Sequence, residues 1–107
     1  MEKLIRDRIT EKALARGEVM RVRKAESDWE FRAMLTKKLV EEAKECHAAR
    51  SRRERRKELA DVLAVLTELL RLEKVSWEEL HVIAEAKRAE NGGFAKRLIW
   101  LDAPENP

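Results

Sequence analysis

Three times along the chain a serine is followed three residues later by a glutamate: Ser27 with Glu30, Ser51 with Glu54, and Ser76 with Glu79. In this spacing the serine oxygen accepts a free N–H of the first helical turn while the glutamate reaches back to the preceding backbone. It therefore marks the start of a helix. Each box opens onto a run with apolar residues three or four apart, and only 3 Gly and 2 Pro interrupt 107 residues. The chain is thereby confined to an all-α fold. Helix two carries Phe31, Leu35, Leu39, Ala43 and Cys46 on one face. A turn near Ala49–Arg50 precedes helix three, which runs to about Leu72. Helix four passes through Leu80, Ile83, Ala84 and Lys87 and is expected to end at "NGG", where glycine can take a left-handed cap. Before the first box, Leu4, Ile5, Ile9 and Ala13 have helical spacing that stops at Gly17. "EVMRVRKA" alternates like a short extended connection, and "FAKRLIWLDAPENP" reads as an extended, frayed tail. The expectation is a single domain over 1–107, a short four-helix subunit with a central antiparallel helical hairpin.

Helix three sets the next constraint. "LADVLAVLTELLRL" places Leu59, Val62, Leu63, Val65, Leu66, Leu69, Leu70 and Leu72 around most of its circumference. A helix apolar on nearly all sides is buried on nearly all sides. A chain this short buries only about 60–65% of its unfolded surface, so a second subunit is expected to complete an oligomeric helical bundle, a homodimer or homotetramer.

Charge narrows the function. Charged residues are 42% of the chain, but hydrophobic ones are 44%, which is too many for a disordered chain. The net charge of +3 is too mild to imply nucleic-acid binding by itself, so nucleic acid is not an expected partner. No apolar run approaches membrane-spanning length, the N-terminus is too charged for a signal-peptide core, and the single Cys46 excludes an intramolecular disulfide. A cytoplasmic location without membrane contact is expected.

Four acids stand out. Glu42 and Glu45 are three apart on helix two, and Glu58 and Asp61 are three apart on helix three, so each pair shares a helix face. Positions 45 and 58 are equidistant from a turn centred between Ser51 and Arg52, as are 42 and 61. Antiparallel helices then place Glu45 opposite Glu58 and Glu42 opposite Asp61, in tiers about 4.5 Å apart. Two like charges about 4 Å apart repel by ~4 kcal/mol at an effective dielectric near 20. An "ExxE" alone is usually an ordinary solvated helix face. Two pairs symmetric about a turn, one of them inside "LADVL", instead favour a divalent cation held by hard oxygen ligands, Mg²⁺ or Mn²⁺.

"EEAKE" followed by "ELADVL" resembles the ExxE…ExxD signature of the MazG-like all-α nucleoside triphosphate pyrophosphohydrolases. "KLIRDRI" and "KRAENGGFAKR" resemble a small single-domain, phosphoribosyl-ATP pyrophosphohydrolase-like branch of that superfamily, so the likeness touches both ends and the middle. It implies Glu42, Glu45, Glu58 and Asp61 as Mg²⁺ ligands. It also implies a nucleotide substrate cleaved between its α and β phosphates to a monophosphate and pyrophosphate. The chain reads "DVLAVL" where the histidine-pathway enzyme has a "DLLYH"-like run, so the likeness extends to the reaction and not to phosphoribosyl-ATP as substrate.

That chemistry needs an oriented water and cations on the phosphate oxygens. By carry-over from the family, Glu45 is the candidate to orient the water. Lys38, one turn before Glu42, is the best-placed catalytic and phosphate-binding cation, with Lys87, Arg88 and Arg97 around "NGG" as further phosphate-binding candidates. Other features weigh less. Glu78 and His81 form one ExxH, half of a di-iron motif that has no second half. Cys46 and His47 read as a core thiol and a surface imidazole. Trp29 and Trp77 fall at helix starts, where packing explains them, and Trp100 is left as a candidate for stacking on a base. The arginine-rich "RSRRERRK" reads first as a solvated hairpin tip. The alternative it offers is a non-catalytic helical module, regulatory or nucleic-acid-associated.

Overall fold

The computed structural model describes residues 2–105. Its four helices are α1 (Ile9–Ala15), α2 (Asp28–Ala48), α3 (Arg52–Leu72) and α4 (Trp77–Asn91). All three serine caps form, and the first two close with the return bond from the glutamate, whereas the Glu79 carboxylate accepts the Ser76 hydroxyl at 3.3 Å. The hydroxyl oxygens of Ser27, Ser51 and Ser76 accept the N–H groups of Glu30, Glu54 and Glu79 at 3.0, 3.0 and 3.1 Å. The carboxylates of Glu30 and Glu54 in turn accept the N–H groups of Glu26 and Arg50 at 2.8 and 2.9 Å. Each cap is worth about 1 kcal/mol, and together they fix where α2, α3 and α4 begin.

The chain forms two compact units, Met1–Val75 and Ser76–Pro107. In the first, α2 and α3 pack as an antiparallel hairpin joined through Ala49, Arg50 and Ser51. Its most buried residues are Ala13, Leu35 and Val65, together with one acid, Glu42. In the second, α4 ends as expected at Gly92, where φ is +82° and the N–H donates to the Arg88 carbonyl at 2.7 Å.

The first helix is shorter than its periodicity suggests. Leu4 and Ile5 precede α1 and are half-buried without helical hydrogen bonding. Two ion pairs fasten this segment to the hairpin: Lys3 with Glu41 on α2 at 3.9 Å, and Arg6 with Asp61 on α3 at 2.8 Å. The far end of α1 is where glycine requires it. Gly17 takes a φ of +79° and donates to Leu14, while Glu18 donates to Ala13, both at 2.9 Å. This is a Schellman closure, which a Cβ at residue 17 would strain.

The apolar wrap of α3 is only partly covered within the subunit. Val65 is buried, but Leu59 and Leu63 keep 54% and 52% of their surface exposed. Among the described residues no helix is long and apolar enough to cross a membrane.

Candidate metal centre

Glu42 sits in the middle of α2, and Glu58 and Asp61 lie one turn apart on α3. The hairpin brings one carboxylate oxygen from each to within 4.8 Å of the other two. Oxygens about 2.1 Å from one octahedral Mg²⁺ lie about 3 Å apart when cis and ~4.2 Å when trans. The three acids therefore draw together by up to about 2 Å on holding an ion, a shift that side-chain rotation supplies. Glu45 is outside this group and exposed on α2. Successive i,i+3 positions are rotated about 60° around a helix axis. With Glu42 turned into the hairpin seam, Glu45 swings to its flank, so the two facing tiers expected from spacing become a three-acid cluster.

The surroundings are both apolar and cationic. Glu42 is only 7% exposed, and Glu58 and Asp61 are half-buried. Three cations ring the acids. Lys38 Nζ is 3.6 Å from Glu42 and 3.7 Å from Glu41. Lys57 Nζ is 3.4 Å from Glu58 and 3.6 Å from Asp61, and Arg6 Nη2 donates to Asp61 Oδ1 at 2.8 Å. The charge of Glu58 and a hydrogen bond to it, then the charge of Asp61, hold the Lys57 ammonium above its ordinary pKa.

These partners do not satisfy the cluster. The Oε2 atoms of Glu42 and Glu58 are buried and accept no hydrogen bond. Leaving such a group without a partner costs about 1–3 kcal/mol, more when it is charged. A purely structural ion-pair network would turn these oxygens to water or to a donor. A divalent cation satisfies them directly, and an all-carboxylate donor set suits a hard one. Glu42, Glu58 and Asp61 can thus coordinate a divalent metal ion.

Lys38 occupies the position its spacing predicts. Lys87, Arg88 and Arg97 belong to the second unit, where Arg88 pairs with Glu85 at 3.7 Å and Arg97 has a φ of +57°. Arg6 and Lys57 are further cations of the site. The i,i+4 spacing of Lys57 and Asp61 is a signal for that pair, whereas Arg6 meets an acid 55 positions away and only folding reveals it. A groove of about 380 Å³ includes Lys38 and Glu41 in its lining, with Leu4, Met34 and Val40 as its apolar wall; none of Glu42, Glu58 and Asp61 lines it. No protein-family model, curated protein or solved structure matches the chain.

Proposed function

We propose that this protein is a Mg²⁺-dependent nucleotide pyrophosphohydrolase of the MazG-like type, acting as a homo-oligomer. The observation that carries the reading is the clustering of Glu42, Glu58 and Asp61 within 4.8 Å on the hairpin, with the Oε2 atoms of Glu42 and Glu58 buried and without a hydrogen-bond partner. Glu42, Glu58 and Asp61 hold the ion. Bound there, Mg²⁺ supplies neutralisation of phosphate charge and makes a bound water more acidic.

The chain's own residues do the rest. Lys38 and Lys57 flank the acids at 3.4–3.6 Å and Arg6 pairs with Asp61, so three cations stand beside the cluster. They hold the phosphate oxygens of the nucleotide, the guanidinium by paired hydrogen bonds and the ammonium groups as point charges. The groove beside Lys38 takes the nucleoside against Leu4, Met34 and Val40. Glu45, exposed and outside the ligand group, is free to accept a proton from the attacking water. The water oxygen bonds to the α phosphorus, and the bridging oxygen leaves with pyrophosphate.

Exposed Leu59 and Leu63 support self-association through α3, which removes that apolar surface from water. A panel of nucleoside triphosphates with Mg²⁺, scored for pyrophosphate, tests the activity. At least one is expected to yield pyrophosphate and a monophosphate with wild type and nothing with Asp61→Asn. Release of inorganic phosphate alone, or turnover that survives Asp61→Asn, would contradict the reading.

A further inference from the structure

The net charge of +3 is far from evenly spread. Residues 50–57, "RSRRERRK", carry six cations against the single acid Glu54, a net +5, so the other 99 residues sum to −2. The structure sharpens this imbalance. Elsewhere in the first unit Arg6, Arg8, Arg16, Arg23, Arg32 and Arg71 each meet a carboxylate, leaving only Arg21 without one among the described residues. At the hairpin tip none of Arg50, Arg52, Arg53, Arg55 and Arg56 has a carboxylate partner among the described residues, and all are exposed. Glu54 forms no ion pair with them; its carboxylate accepts the Arg50 backbone N–H at 2.9 Å.

This arrangement works against the fold. The N-terminus of α3 already carries partial positive charge, and cations in a first turn are unfavourable there. Nor do they complete the cap, since Ser51 and Glu54 already do so. Only Arg55 has a structural task, donating to the Ala49 carbonyl at 2.5 Å. At about 100° per residue, Arg52 and Arg56 lie about 120° or more around the helix from both Glu58 and Asp61, and Arg53 lies about 80° from Asp61 and two turns before it. None of the three is part of the metal centre's cation ring.

We propose that the hairpin tip binds the phosphodiester backbone of duplex nucleic acid without reading its sequence. Arginine in place of lysine at five of the six cationic positions suits paired hydrogen bonding to phosphate oxygens. The tip contains no aromatic side chain on which unstacked bases would rest, which favours a duplex over a single strand. It also contains no apolar side chain to enter an acyl layer, which disfavours an anionic membrane. This site is independent of the proposed hydrolysis and stands or falls without it.

The test uses the full chain and the variant Arg52→Gln/Arg53→Gln/Arg56→Gln, whose residues touch neither the acids nor the caps. Fluorescence anisotropy of a labelled DNA duplex of about 20 base pairs is followed from about 50 to 200 mM salt, with single-stranded DNA and phosphatidylserine vesicles in parallel. Wild type is expected to bind two unrelated duplex sequences alike. Each phosphate contact contributes about −0.9 to the slope of log K against log salt, so the variant's slope should be about 2.7 less negative. Its affinity at the lowest salt should fall at least tenfold, with an unchanged Mg²⁺-induced melting shift showing that the fold and the metal centre are intact. No duplex binding at about 50 mM salt, equal binding by the variant, or equal or tighter binding to single strands or vesicles would each overturn the proposal.

Discussion

Replacing Glu58 by Gln in metal-free buffer should make the protein more stable. The donor oxygens of Glu42, Glu58 and Asp61 lie within 4.8 Å of one another. At an effective dielectric near 20, two unit charges at that separation repel by about 3.5 kcal/mol, and Glu58 takes part in two such pairs. The three nearby cations return part of this. Lys57, however, is 73% exposed and screened by water, so its partnership with Glu58 compensates little. The amide also ends the isolation of a buried charged oxygen and adds a donor that can point at a neighbouring carboxylate. A net gain of about 1–2 kcal/mol is expected, which in a chain of this size raises Tm by roughly 5–10 °C. Added Mg²⁺ should reverse the ranking. Wild type gains about 2.7 kcal/mol when free Mg²⁺ is near a hundred times Kd, whereas the variant, lacking a ligand, gains much less. Thermal melts of both proteins with EDTA and with Mg²⁺ provide the four values needed. Wild-type melting indifferent to Mg²⁺, with a variant no more stable than wild type in EDTA, would refute the reasoning.

Two further outcomes follow from particular contacts. In an isolated subunit Leu63 is half exposed, and its replacement by Asp would cost about 1–2 kcal/mol without changing the mass in solution; in an oligomer closed over α3 it buries an unpaired charge, so light scattering should show dissociation or unfolding of Leu63→Asp, and a well-folded wild-type monomer would contradict self-association. At low pH the Arg23 guanidinium, hydrogen-bonded to both oxygens of Glu30 at 2.9 and 2.8 Å, holds that carboxyl down to about 2, with the Glu26 N–H contributing next. Because the folded value lies below the ordinary 4.5, this contribution is fully present above pH 4.5 and is lost as pH falls toward 2. Melts across that window should therefore show a shallower acid dependence for Arg23→Gln, and an unchanged one would contradict the pairing.

The helix starts were legible because they are local. Ser27, Ser51 and Ser76 need only a glutamate three residues on, and Gly17 and Gly92 need only their own freedom at positive φ. The acid cluster was legible in part for the same reason, since i,i+3 spacing fixes Glu58 and Asp61 on one face. The position of Glu45 was not, because symmetry about a turn gives pairing order along two helices but not their rotation about their own axes. Leu4 and Ile5 misled because helical periodicity over five residues also suits an extended segment lying on a hairpin, and the ion pairs that hold it there, Lys3 with Glu41 and Arg6 with Asp61, span 38 and 55 positions. The unpaired arginines of the tip likewise became distinctive only once the pairing of the others was visible.

The account rests most directly on whether Glu42, Glu58 and Asp61 hold a divalent cation. Electron paramagnetic resonance of Mn²⁺ titrated with protein measures this without any substrate, because the signal of the free aqueous ion falls as the ion is bound. Wild type should deplete that signal, excess Mg²⁺ should restore it, and Asp61→Asn should weaken binding at least tenfold through loss of one of three ligands. A wild-type protein that leaves Mn²⁺ free, or an Asp61→Asn variant that binds it equally well, would contradict the assignment of the metal centre.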